Sequence, residues 1–295
     1  MTTTADQTTT ATDGRESLPI LRNAFFWPFL VFSVACFVPL YLFSSSTRTA
    51  FAFELGSPLS AATIGAGYAA AVVMFALTLR ERRWADARAT LVAPVVLLGS
   101  TLVITLAHTG ELRLDGGPAW AVVFGWGWLA AHLAALPLAL LVWSRQRAAT
   151  GGEAPVRAPM GPDVSVPTAV MGLVLVGLAI AMWVAPGPMG RHWAWQLNTL
   201  DAQLLGAWLF TFGAGAFHAV WERDVRRITA GFFTDMTLSL LSLVALARYA
   251  DDVRWGSWLT WVYLVVLAGL LIAGLTGRFL ALPAALAAGR GESRH

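Results

Sequence analysis

LSAATIGAGYAAAVVMFALTLRERRWADAR, residues 59–88, carries the reading on which the fold turns. Its first 21 residues hold no charged side chain, and a helix needs about 20 mostly apolar residues to cross the hydrocarbon core of a bilayer. Arg80, Arg82, Arg83 and Arg88 follow at once. An apolar run closed by an arginine cluster is the pattern of a membrane span and of the short loop that holds one of its ends in the cytoplasm.

Working outward, the same pattern predicts eight spans, at 25–43, 59–79, 90–107, 119–143, 167–185, 200–221, 231–247 and 258–275. The composition agrees: 57% of the 295 residues are hydrophobic and 13% charged, against about 25% charged in soluble domains. With eight spans, Arg15 and Arg22, the cluster after span two, Arg145, Arg147 and Arg157, Arg223, Arg226 and Arg227, and Arg278, Arg290 and Arg294 all fall on one side. Arg48, Arg113, Arg191, Arg248 and Arg254 fall on the other. A seven-span arrangement scatters these clusters over both sides. The expected protein is therefore an all-α integral membrane protein of the cell membrane, with both termini cytoplasmic. There is no lysine, and the arginines sit in short loops without a continuous basic stripe, so no nucleic-acid partner is expected. Cys36, the single cysteine, lies within an apolar run, as a packing residue does.

Residues 1–22 are Thr-rich without apolar periodicity and read as a disordered tail. The late apolar onset argues against a cleavable signal peptide. Residues 144–166 are rich in Gly, Pro and Ala and read as a flexible linker. They separate two four-helix regions, 23–143 and 167–278, with a second tail at 279–295.

The two regions align at a spacing of 141 residues. Gly65 falls on Gly206, Glu81-Arg82 on Glu222-Arg223, Arg113 on Arg254 and Trp120 on Trp261. One gap brings Phe51-Ala52-Phe53 onto Trp193-Ala194-Trp195. Matches among Ala and Leu come cheaply, whereas loop matches at a constant offset carry more weight. Each region has an even number of spans, so the expected arrangement is two parallel repeats about an axis along the membrane normal.

The aromatic-Ala-aromatic segment, the following Leu-x-Ala and the Gly that opens the next span resemble bacterial, actinobacterial-like multi-pass membrane proteins that belong to no functional family. The resemblance implies a duplicated four-helix unit and no activity. In outline a duplicated eight-span chain is also similar to heme A synthase, but His132 falls on Ala273 and His218 on Leu77, so the histidines do not recur between halves.

Ionisable groups within spans are costly and become functional candidates by default. His132 lies in the fourth span, His218 and Glu222 one turn apart at the end of the sixth, and Asp235 near the start of the seventh. A His218–Asp235 hydrogen bond across the hairpin is expected, either in a polar cavity or as a structural tie. Glu54 and Asp201 stand at related places on the opposite side. Asp201 reads as a cap or first-turn residue, favoured by the helix dipole, or, with Glu54, as an acid beneath a lid formed by the aromatic segments. Those segments read equally as amphipathic elements in the membrane interface. No pattern of metal ligands or of a cofactor-binding loop occurs, and none is expected.

Three function classes follow: a transporter-like or hydrophobic-ligand-binding protein, an integral membrane enzyme acting on a lipid-like or isoprenoid substrate, and an accessory subunit. The bilayer, a hydrophobic small molecule, and a second copy or another membrane protein are the expected partners. Reporter fusions at Asp115 and at Gly151 are expected to report opposite sides of the membrane, and agreement between them contradicts eight spans.

Overall fold

The computed structural model describes residues 19–47, 51–150 and 155–292. Residues 1–18 of the expected tail, Arg48, residues 151–154 of the expected linker, and Arg294 lie outside the described residues.

Among the described residues, the fold is built from eight long helices: α1 (Pro19–Phe37), α2 (Pro58–Thr78), α3 (Val92–Ala107), α4 (Ala119–Thr150), α5 (Pro162–Val184), α6 (Thr199–Glu222), α7 (Thr229–Arg248) and α8 (Trp258–Glu292). Eight apolar stretches along them are long enough to cross a membrane. The chain is a polytopic α-helical membrane protein. Helices are the physical answer to a solvent without hydrogen-bonding partners, because they satisfy the backbone within each segment.

Local sequence sets the starts and ends. Ser57 caps α2, its Oγ accepting from the Ser60 N–H at 3.0 Å, with Pro58 in the first turn. Asn198 caps α6 in the same way, accepting from the Asp201 N–H at 2.7 Å. Pro39 has no N–H to donate, and α1 widens there into a π-helical turn, Val38–Leu42.

Lipid rewards apolar burial between helices far less than water does, so close packing and interhelical hydrogen bonds decide the arrangement. α2 is the central helix, with 78% of its spanning stretch buried against 17% for α5. α2 packs on α1 and α7, and α6 packs on α5 and α3. Glycines permit these approaches. A Cβ added at Gly65 would lie 2.7 Å from the backbone nitrogen of Tyr41, and one at Gly206 2.9 Å from the Trp183 indole nitrogen. Where α2 meets α6, a Cβ at Gly67 would lie 2.7 Å from the Trp208 ring. Gly67 and Trp208 are themselves 141 positions apart.

At the end of the bundle away from the arginine clusters, two loops repeat one geometry. Each passes through a 3-10 turn, Thr109–Glu111 or Ala250–Asp252. The next arginine then donates its backbone N–H to the alanine of an aromatic-Ala-aromatic segment: Arg113 to Ala52 at 2.9 Å, Arg254 to Ala194 at 2.7 Å. Phe51, Phe53, Trp193 and Trp195 are fully buried. These segments are core plugs rather than surface elements in the membrane interface.

The segment between the halves is more ordered than its composition implies. α4 runs on to Thr150. Beyond it Met160 donates to the Arg223 carbonyl at 3.0 Å, and Ala158 accepts from Val225 at 2.8 Å. Arg157 pairs with Asp86. Residues 155–161 are therefore fastened to the α6–α7 turn and to the short helix Trp84–Arg88. The C-terminal segment expected as a tail from 279 continues α8 as helix to Glu292.

Gly65→Val is expected to lower thermal stability in detergent by about 1–3 kcal/mol, because backbone lies against the added carbons. Gly127→Ala, where nothing lies within 4 Å of the added Cβ, is expected to leave the melting temperature unchanged or slightly raised.

Candidate functional site

A cavity of about 400 Å³, open in part to the bundle surface where Ile272 is 62% exposed, lies in the half of the bundle nearest the arginine-rich end. Its volume falls in the range of small-molecule sites. Seven of the eight long helices, all but α4, contribute to its wall, which is mostly aliphatic and aromatic. Tyr68 and Trp208 close it toward the opposite end, their rings edge to face with centroids 5.0 Å apart. His218, Arg227 and Asp163 stand nearest the arginine-rich end.

The wall draws on residues that stand 141 positions apart in the chain. Ala71 and Phe212, Met74 and Gly215, and Phe75 and Ala216 all line it, and each pair stands 141 positions apart. In each pair a large side chain is matched with a small one. Pro94 and Asp235 form a further pair at this offset. Asp235 lies about one and a half turns into α7, and no side chain or backbone group among the described residues hydrogen-bonds or ion-pairs with it.

Below the cavity the arginine-rich end is a buried ionic network. Glu222, at the last turn of α6, receives Arg227 Nη1 at 2.7 Å and Arg88 Nη2 at 3.2 Å on Oε2. Arg88 Nε stands 3.2 Å from Glu222 Oε1. Arg227 also reaches Asp224 at 3.4 Å and the Pro155 carbonyl at 3.0 Å. The Asp224 carboxylate accepts from the Arg157 N–H at 2.8 Å and the Ala158 N–H at 3.3 Å. Paired charges of this kind survive burial because each carries several partners. Next to the network, burial and the neighbouring Asp86 push the Glu81 carboxyl above its ordinary value, while Arg157 and Arg226 pull it back.

The expected His218–Asp235 hydrogen bond does not form. His218 Nε2 stands 3.5 Å from Glu222 Oε1 on its own helix, one turn on, and its ring stacks on Trp221. His218 and Asp235 do share the cavity. His132 lies outside it, fully buried, with Nδ1 donating to the Trp128 carbonyl at 2.7 Å and its ring stacked on Trp128 at 4.4 Å. Its partner is therefore within α4 and not on another helix.

Glu54 and Asp201 do not form a site. The Glu54 side chain is 59% exposed and 3.8 Å from Arg113. Asp201 is fully buried, accepting from the Gly56 N–H at 3.1 Å and from the Ser60 hydroxyl. Ser60 in turn accepts from the Trp195 indole at 3.0 Å. Asp201 is a first-turn residue that ties α6 to the start of α2; Asn198 is the cap. Neither acid reaches the cavity, so the lid arrangement is absent.

Sequence reading missed Arg88 and Arg227 as internal residues, because arginines beside spans read as topology signals. The usable sign was Glu222, an acid at the end of a span with arginines on both flanking loops.

Fold and site together define a polytopic helical membrane protein with an apolar cavity that ends on an ionic network. No family model, curated protein or solved structure matches the chain.

Glu222→Gln leaves two buried guanidinium groups short of their counter-charge. It is expected to cost about 3–5 kcal/mol, read as a large fall in melting temperature or loss of folded protein. Glu54→Gln, at an exposed pair, is expected to change stability by less than about 1 kcal/mol.

Proposed function

We propose that the protein is a transporter-like membrane protein that takes a hydrophobic small molecule into the cavity between its two halves. The observation that carries this reading is the cavity itself: an apolar chamber of about 400 Å³ walled by helices of both halves, with the Asp235 carboxylate on its wall. Protein interiors are packed to crystal density, and a well-formed apolar pocket with a few polar groups is the usual form of a ligand site.

The same reading includes a duplicated four-helix unit. It is supported by the reciprocal packing of α2 on α7 and α6 on α3, by the twin loop hydrogen bonds from Arg113 and Arg254, and by the lining residues that pair at a constant offset. The cavity would then straddle the axis relating the repeats, where parallel-repeat transporters hold their substrates. In this reading the cavity end faces the cytoplasm and the protein sits in the cell membrane; the arginine bias supports that orientation.

Gly215 and Gly231 both line the cavity, and a Cβ added at either meets nothing within 4 Å. Gly215→Leu and Gly231→Leu are therefore expected to fill the space without strain, keeping or raising the melting temperature. Native mass spectrometry of the gently purified wild-type protein is expected to find a co-purifying hydrophobic molecule that both variants lose. Equal occupancy in wild type and variants contradicts the assignment.

A further inference from the structure

The polar groups on the cavity wall narrow the chemistry of what it holds, granted the ligand-binding reading above. Several hydroxyls are already engaged as donors to their own helices: Thr168 to the Val164 carbonyl at 2.7 Å, Thr211 to Ala207 at 2.8 Å, and Thr234 to Ala230 at 2.8 Å. Each therefore turns acceptor lone pairs, not its proton, toward a neighbour. Asp235 adds a carboxylate, which when ionised also only accepts.

The cationic groups on the wall do not answer it. Arg227 is held by Glu222, Asp224 and the Pro155 carbonyl, and His218 faces Glu222. Their charge is compensated from the ionic network below. The position matching Asp235 in the first half is Pro94, which brings no charge and no N–H. An ionised carboxylate in an apolar chamber is costly unless it is paired and hydrogen-bonded, and none of the described residues supplies Asp235 with a partner.

We propose that the cavity binds a hydrophobic amine, its ammonium group donating to Asp235 and to the lone pairs of the surrounding threonines while its apolar body lies against Phe75, Phe212 and Trp208. Aromatic rings on the wall add attraction for a cation to the apolar surface they offer its carbon skeleton.

The test uses the full-length protein in nanodiscs of zwitterionic lipid, with empty nanodiscs as the reference, and equilibrium dialysis of three probes sharing one ring system: naphthylmethylamine, naphthylmethanol and naphthylacetate. The amine is expected to bind about tenfold tighter than the alcohol, as a hydrogen bond to a charged group implies, and the carboxylate weakest. Asp235→Asn is expected to erase the preference for the amine over the alcohol, and Asp235→Glu to retain it. Equal binding of amine and alcohol to the wild-type protein overturns the amine assignment and leaves the ligand-binding reading standing. Tightest binding of the carboxylate, or an amine preference that survives Asp235→Asn, also overturns it. Failure of all three probes to bind the wild-type protein overturns both. The wild-type ranking decides the matter even if Asp235→Asn does not fold.

Discussion

Close approach at three glycines, Gly65, Gly67 and Gly206, sets the geometry on which the rest of the bundle depends. Helices in lipid gain little from merely hiding apolar surface, so their arrangement follows from where backbones can come near each other. Gly65 admits the widened end of α1 against α2, and Gly206 admits Met182 and Trp183 of α5 against α6. Gly67 leaves room for the Trp208 ring where α2 and α6 cross. The ring's size matters in turn: with Tyr68 it forms the floor that separates the cavity from the aromatic plugs beyond.

The two ends of the bundle handle polarity differently. Away from the arginine clusters, Asp201 is neutralised in its hydrogen-bonding demands by a backbone N–H and a hydroxyl from the other half. That junction ties α6 to the entry of α2 and leaves no unpaired group. At the arginine-rich end the demands are met by ion pairs, with Glu222 between two guanidinium groups and Asp224 holding the backbone of residues 157 and 158. Between them lies Asp235, the one acid of the candidate set that neither scheme reaches. Its isolation is a cost the fold does not need, and that makes its neighbourhood the place where chemistry from outside the chain belongs.

Much of the architecture is legible in the sequence because the bilayer imposes it. Twenty-residue apolar runs and arginine clusters mark the spans directly, and Ser57-Pro58 and Asn198 announce helix starts through local hydrogen bonds. What was not legible depends on interhelical distance. Nothing local indicates that Asp201 finds Gly56, or that Arg157 finds Asp86. Composition misled at residues 155–161, where a Pro- and Ala-rich stretch is fastened by partners distant in sequence. The His218–Asp235 pairing failed for a geometric reason: Glu222 stands one turn along the same helix face, and His218 meets it instead. The cavity lies beyond sequence reading altogether, since its wall is assembled from residues of seven helices that meet only in the folded bundle.

A chamber formed before any ligand arrives, and filled by one, is the centre of the proposed function. A density map of the unmodified protein purified in lipid nanodiscs tests this most directly. The account predicts non-protein density bounded by Phe75, Trp208 and Asp235, with α3 and α7 held apart around it. A map in which the side chains of α3, α6 and α7 meet and leave no space between them contradicts it.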